Sequence, residues 1–266
     1  MRFWTAAKNV TPTMEIVAAG CLFLAMLVSM EIGYRIGRRG RFSHTETSIE
    51  VIGTVDAAVF GLLGLILAFT FSGASDRLVV RRAQIVQEAN AIGTAYLRID
   101  VLNPSAQSPI RQLFRDYLEL RIQVFDKFLD RAASAAALEK SERVQREIWS
   151  RSVMACRADP KPDACLLVLP ALNEMIDITT TRTMAARTHA PTIILALLVM
   201  LAVVAGMISG FAMSPQAKRS TFHMLLFSLV VAGSIYVVLD LEYPRAGLIN
   251  LTSMDQALHA LRETMK

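Results

Sequence analysis

The apolar residues of this chain are concentrated in four runs that are separated by polar segments. The runs cover residues 14–32, 51–74, 192–213 and 222–241. Each has close to the roughly 20 apolar residues that an α-helix needs to cross the hydrocarbon core of a bilayer. The pattern therefore predicts four membrane-spanning helices.

The second apolar run continues, without a proline, into a charged segment that keeps helical periodicity. Residues 51–74 contain Asp56 as their one charged side chain, and small or apolar residues then recur at every third or fourth position up to residue 97. We therefore expect residues 51–102 to form one unbroken helix, about 75 Å long at 1.5 Å per residue. It would begin within the bilayer and end in a water-facing domain.

One face of the second span is lined by small residues. Small side chains allow helix backbones to approach closely in lipid, where no hydrophobic force holds helices together. The stripe fits two arrangements: packing against the other membrane helices of the same chain, or packing against copies of the same helix around an axis. Its members are Gly53, Ala57, Gly61, Gly64, Ala68, Ser72 and Ser75.

The segment between the second and third spans has the pattern of soluble amphipathic helices. Residues 110–133 and, more weakly, 138–156 place apolar side chains at a 3.6-residue period among mixed charges. The sequence thus predicts an all-α, polytopic membrane protein with four transmembrane helices and an extramembrane helical bundle inserted between the second and third. The expected divisions are 1–75 and 191–245 for the two pairs of membrane helices, 76–190 for the extramembrane domain and 246–266 for a C-terminal tail.

Composition supports a membrane protein and argues against a nucleic-acid-binding one. Hydrophobic residues make up 53% of the chain and charged residues 19%, with a net charge of +5. The Lys and Arg residues lie at the flanks of the spans or alternate with acids along amphipathic helices, so lipid headgroups are the expected partner. The first apolar run exceeds the 7–15 residues of a signal-peptide core and lacks an A-x-A cleavage site, so we interpret it as an anchor.

Two cysteines bear on the location of the extramembrane domain. Cys156 and Cys165 flank a turn that contains two prolines, a spacing that suits a disulfide joining two helices. A zinc site is a poor alternative because no second pair of ligands stands nearby. Disulfides persist in oxidising compartments, so we expect a bacterial inner-membrane protein with its domain and both termini in the periplasm.

The sequence contains no catalytic pattern. Its four histidines are scattered, and there is no HExxH, GxSxG, P-loop or dinucleotide-binding motif. We therefore expect neither an enzyme nor a bound metal or cofactor.

Two carboxylates near the bilayer are the stronger functional candidates. Charged groups close to hydrocarbon are costly unless they pair, line water or become protonated. Asp56 lies inside the second span and Asp240 at the edge of the fourth. The residues open to a role in an ion or proton pathway, or to a purely structural one, are Asp56 and Asp240 together with the hydroxyl-bearing Thr54, Thr70 and Ser72.

A second group of polar residues is predicted to join helices of the extramembrane domain. One set lies on the long central helix and the other on the helix that leads to the third span. Ion pairs that fix neighbouring helices are the expected role, in preference to acid–base chemistry. The predicted cluster consists of Glu88, Asn90, Arg98, Asn173, Asp177 and Arg182.

Four segments, in this order, resemble the bestrophin-like domain family of mostly bacterial membrane proteins. They are EIGYRIGRR after the first span, LLGLILAFTFSGASDRLVVRRAQIVQEANAIGTAYLRIDVL, LPALNEMIDITTTRTMAARTHAP before the third span, and DLEYPRAGLI after the fourth. The resemblance implies four spans with a helical domain between the second and third. Because bestrophins are oligomeric anion channels, it also implies a channel, but this chain has no acidic calcium-binding run.

Two functional hypotheses follow. The first is a homo-oligomeric, bestrophin-like ion channel whose second spans associate through the small-residue stripe. The second is a non-conducting scaffold or sensor whose helical domain binds a protein partner, of which the sequence identifies none. The oligomeric state distinguishes them, because a monomer has no axial pore.

Overall fold

The computed structural model of the protein is helical throughout the part that it describes. The described residues are 12–39, 46–127, 130–158, 163–214, 220–244, 248–249 and 252–265.

Eight α-helices, numbered in chain order, and one short 3₁₀ turn make up the described structure. Their bounds are α1 Pro12–Arg39, α2 Glu46–Arg98, α3 Pro104–Asp126, α4 Arg131–Ala158, α5 Asp163–Arg187, α6 Thr192–Ala212, α7 Thr221–Glu242 and α8 Thr252–Thr264, with the 3₁₀ turn at Ile99–Val101.

The long central helix is present as predicted. α2 is continuous over 53 residues, and the 3₁₀ turn follows it directly. The next helix begins where Asn103 accepts a hydrogen bond from the backbone N–H of Ser105 at 3.2 Å and Pro104 fixes the first helical φ. α2 is uninterrupted because its sequence contains no proline before Pro104.

Four helical segments in the described chain are long and apolar enough to cross a membrane. The all-α, four-span prediction is therefore confirmed. The third of these segments contains a break: α5 ends at Arg187, Pro191 follows, and α6 begins at Thr192. Proline lacks the N–H that would continue the helical ladder.

The chain forms two compact units, and the first consists of Met1–Leu78 and His189–Ile249. Its core contains buried residues of the four apolar helices, such as Met26, Leu63, Leu198 and Ile235. Glycines bring α1 and α6 together, because a Cβ added at Gly33 or Gly210 would collide with the backbone of the facing helix. These close approaches follow the general rule that small residues line the contacts between membrane helices.

The second unit consists of Val79–Thr188 and Asn250–Lys266. Its core contains fully buried residues of five helices, among them Ile92, Phe114, Ile148, Leu172 and Leu258. The last of these lies on α8, so α8 packs into this core. We refer to this second unit as the extramembrane unit.

Candidate functional site

Most of the circumference of α2 is left open by its own chain. In the apolar part of α2, 17% of the residues are buried, against 44% for α7. The buried positions Leu63, Thr70, Ala74 and Leu78 recur at steps that keep to one edge of the helix. The remaining sides of α2 are available to lipid or to another molecule.

The small-residue stripe lies on this open side. Ser75 is half-buried, and the other six of its seven residues are exposed in the single chain: Gly53, Ala57, Gly61, Gly64, Ala68 and Ser72.

The glycines of the stripe have no neighbours within the chain. A Cβ added at Gly53, Gly61 or Gly64 would meet no atom within 4 Å in the described structure. By contrast, Gly206 has the hydroxyl of Ser29 at 2.6 Å from the same hypothetical atom. Among the described residues, the close helix approaches are therefore made by glycines of α1 and α6, and the partner of the stripe stays a prediction.

The residues considered for an ion pathway divide between the open side of α2 and its packed edge. Thr54 and Ser72 are exposed, whereas Thr70 is buried and donates its hydroxyl proton to the carbonyl of Ile66 at 2.7 Å. Asp56 is half-buried, and its Oδ1 has no hydrogen-bond partner in the described structure. The structure thus brings Thr54 and Ser72 towards the open side and directs Thr70 inwards. Asp56 lies seven residues before the buried Leu63, at the packed edge of α2.

Asp240 closes a turn and does not face the open side of α2. Its side chain is 2% exposed, and its Oδ2 accepts hydrogen bonds from the backbone N–H groups of Leu248 and Ile249 at 3.2 and 3.1 Å. A second buried carboxylate, that of Glu15 on α1, interacts electrostatically with it. Sequence analysis did not pair Glu15 with Asp240, because the two residues lie near opposite ends of the chain.

Glu242, the last residue of α7, contacts residues of the segment that separates α5 from α6. Its side chain is 1% exposed and accepts two hydrogen bonds from Arg77, at 2.7 and 3.0 Å, and one from the backbone N–H of Ala190 at 2.6 Å. His189 lies 3.5 Å from the same carboxylate. Glu242 therefore satisfies a backbone donor that the break leaves without a helical partner.

The polar cluster of the extramembrane unit is centred on Glu88. This fully buried carboxylate accepts a hydrogen bond from Nε of Arg121 at 2.6 Å and another from Nη1 of Arg182. Arg182 also donates to Asp255 at 3.1 Å. The cluster thus links α2, α3, α5 and α8, and its two acids balance its two bases.

Four of the six residues predicted for this cluster lie elsewhere. Asn90, Asn173 and Asp177 are exposed, on faces of α2 and α5 that point away from Glu88. Arg98 donates instead to the carbonyl of Leu167 at 2.9 Å. The structure thus brings Glu88 and Arg182 together and places the other four residues away from them, because proximity along a helix does not place residues on the same face.

Arg121 and Asp255 are the members of the cluster that sequence analysis missed. Arg121 stands in the apolar stripe of α3, four residues after the buried Tyr117, and this position was a usable signal. Although burial acts in the opposite direction, the carboxylate of Glu88 raises the pKa of Arg121. Burial also raises the pKa of Tyr117 to about 12, so its hydroxyl stays protonated and hydrogen-bonds Thr179 at 2.8 Å.

An aromatic ring and a disulfide complete the extramembrane unit. The guanidinium of Arg182 lies 3.5 Å from the ring centroid of Phe125, which is within cation–π range.

Cys156 at the end of α4 and Cys165 near the start of α5 form a disulfide, with their Cα atoms 5.6 Å apart. The bond joins α4 to α5 on either side of the turn.

Comparison with known proteins identifies both a sequence family and a fold. A family model described as the Bestrophin-like domain matches residues 20–254. Among curated proteins, none matches this sequence.

The solved structures that share the fold include bacterial bestrophin homologues from Klebsiella pneumoniae. A tryptophan-to-alanine variant is 15% identical, with 94% of this chain and 97% of that chain covered and a TM-score of 0.68. The homologue solved by Zn-SAD phasing is 16% identical, with coverage of 94% and 98% and a TM-score of 0.66. At these identities the likeness establishes a common fold.

Proposed function

The chain belongs to the Bestrophin-like family, and on this premise we propose that it is a homo-oligomeric ion channel that conducts anions. In this proposal the α2 helices of several copies surround a central axis and line the pathway. The family relation supports a membrane protein related to anion channels. The assembly and the conduction are our inference.

The observation that carries the proposal is the open, small-residue face of α2. The chain uses other glycines, on α1 and α6, for its internal close approaches. A face of Gly, Ala and Ser that is exposed in the described structure suits the close approach of a second helix, since small residues permit the dense packing on which helix association in lipid depends.

Polar groups on this side of α2 supply the chemistry of a pathway. The exposed hydroxyls of Thr54 and Ser72 can replace part of the hydration shell of a passing ion. Asp56 lies at the packed edge of α2 beside this side; repeated in each copy, it would form a ring of carboxylates that opposes anions. It would therefore act as a barrier within the pathway.

Two measurements on the purified protein test this function. Light scattering in detergent is expected to give a mass several times that of one chain, and proteoliposomes are expected to release chloride. Asp56→Asn is expected to raise chloride flux by about twofold or more, because removal of a carboxylate ring lowers the electrostatic barrier to anions. Ser234→Ala on α7 is the matched control for a polar substitution on a membrane helix.

The outcomes separate the two hypotheses from sequence analysis. A monomer in detergent and in lipid would rule out an axial pore and favour the scaffold or sensor. An oligomer whose chloride flux is the same with Asp56→Asn would keep the channel and remove Asp56 from its pathway.

We further propose that the protein resides in the bacterial inner membrane with the extramembrane unit in the periplasm. The Cys156–Cys165 disulfide supports this side, because disulfides persist in oxidising compartments. In a Cys21→Ser background, a membrane-impermeant maleimide is expected to label intact cells only after an impermeant reductant has been added. Labelling that appears only after lysis would place the domain in the cytoplasm.

A further inference from the structure

A cavity of about 320 Å³ lies between α4 and α5 in the extramembrane unit. Its volume is at the lower end of the range of about 300–1,000 Å³ that is typical of small-molecule sites. The polar groups of its lining are Glu142, Gln145 and Arg146 from α4 and Thr180, Thr183 and Arg187 from α5.

The charged groups of the lining are unpaired. In the part of the chain that the structure describes, Glu142, Arg146 and Arg187 form neither ion pairs nor hydrogen bonds through their side chains. Exposed charges on α4 do pair elsewhere, as Glu147 and Arg151 do at 2.6 Å. The cavity thus presents two guanidinium groups and one carboxylate, a combination that a ligand with two negative charges and one positive charge would complement.

The threonine hydroxyls favour a ligand that donates hydrogen bonds. Thr180 donates its hydroxyl proton to the carbonyl of Ile176 at 3.2 Å, and Thr183 donates to the carbonyl of Thr179 at 2.8 Å. Because these protons are already used within α5, the hydroxyl oxygens can only accept. An ammonium group, with three N–H donors, suits such oxygens.

A buried positive charge lies behind the cavity wall. Arg121 is fully buried, and its Nη1 and Nη2 have no hydrogen-bond partner in the described structure. It interacts electrostatically with Glu142 of the lining, and its neighbour Tyr117 hydrogen-bonds Thr179, which also lines the cavity. Glu88 balances this charge within the cluster, so the attraction of the cavity for an anionic ligand comes from Arg146 and Arg187.

We infer that this cavity binds a small dicarboxylate that carries an ammonium group, which is the chemistry of an acidic amino acid. Arg146 and Arg187 hold the two carboxylates, and Glu142 and the hydroxyl of Thr183 accept from the ammonium. Every lining residue belongs to the extramembrane unit, so the inference does not depend on the proposed channel activity.

Calorimetric titration of the full-length protein in detergent with L-glutamate tests this site. Saturable binding is expected, and Arg146→Gln and Arg187→Gln should each weaken it by about tenfold or more, the usual effect of losing a charge-assisted hydrogen bond. Arg143→Gln, on α4 but outside the lining, removes the same charge and should leave binding unchanged. Equal thermal unfolding midpoints would show that all three variants are folded.

Glutarate, which has both carboxylates but no ammonium group, tests the second half of the inference. It should bind about tenfold or more weakly than L-glutamate, and Glu142→Gln should reduce that preference. Absence of L-glutamate binding would overturn the inference. So would equal affinity for glutarate, or binding that neither arginine substitution weakens.

Discussion

Leucine in place of Gly64 is expected to prevent assembly of the protein into oligomers while leaving each chain folded. A Cβ at this position has no neighbour within 4 Å in the described structure, so we expect the fold to accommodate the larger side chain. At an interface formed by the α2 helices, however, the added volume would force the backbones apart. Overpacking of this kind costs about 1–3 kcal/mol per contact, which lowers the association constant by about tenfold or more.

Gly233→Leu on α7 is the matched control for this experiment. Gly233 also lies on a membrane helix, and a Cβ there also has no neighbour within 4 Å, but it is not part of the α2 stripe. Native mass spectrometry from detergent should give oligomers for the wild type and Gly233→Leu, and monomers for Gly64→Leu. If Gly64→Leu assembles as well as Gly233→Leu does, the α2 stripe is not the interface.

Replacement of Glu88 by glutamine is expected to cost the extramembrane unit about 3–5 kcal/mol of stability, the typical effect of removing one partner from a buried ion pair. The substitution leaves Arg121 and Arg182 buried without their shared carboxylate. For a unit of this size, that loss corresponds to a fall of about 10 °C or more in the unfolding midpoint.

Tryptophan fluorescence can report this change specifically. The chain has two tryptophans, and Trp149 packs against the core of the extramembrane unit. In a Trp4→Phe background, the remaining signal therefore follows the unfolding of that unit. Thermal melts of the wild type and Glu88→Gln in the same detergent give the comparison.

Two further variants separate the effect of the buried charge from a general effect of the substitution. Glu147→Gln removes half of an exposed pair with Arg151, both about half exposed, and should change stability by less than about 1 kcal/mol. Adding Arg121→Gln to Glu88→Gln removes the unpaired charge and should restore part of the loss. A Glu88→Gln variant as stable as Glu147→Gln would show that the cluster contributes little.

Local pattern was sufficient to predict the helices but not their partners. The length of each apolar run predicted four spans, and the absence of a proline between residues 51 and 102 predicted the continuity of α2. The same pattern left two partners open for the small-residue stripe. The structure adds that glycines on α1 and α6 make close contacts, whereas a Cβ at Gly53, Gly61 or Gly64 has no described neighbour within 4 Å.

The candidate polar residues show the same division. Glu88 and Arg182 were found from sequence because charges on otherwise apolar helix faces need partners. Arg121 and Asp255 were missed, since they lie 33 and 167 positions from Glu88 and Asp255 reaches the cluster only through the packing of α8. Asn90 was included wrongly, because a position two residues from Glu88 lies on a different side of the helix.

The sequence by itself determined the membrane helices, the unbroken α2 and the small-residue line along it, because length, periodicity and helix breakers act over a few neighbouring residues. Only the tertiary structure decided that this line faces away from its own chain and that one buried carboxylate holds two arginines from different helices. Those outcomes depend on which helix faces meet, and contacts between residues far apart in the chain are set by the packing of the whole fold.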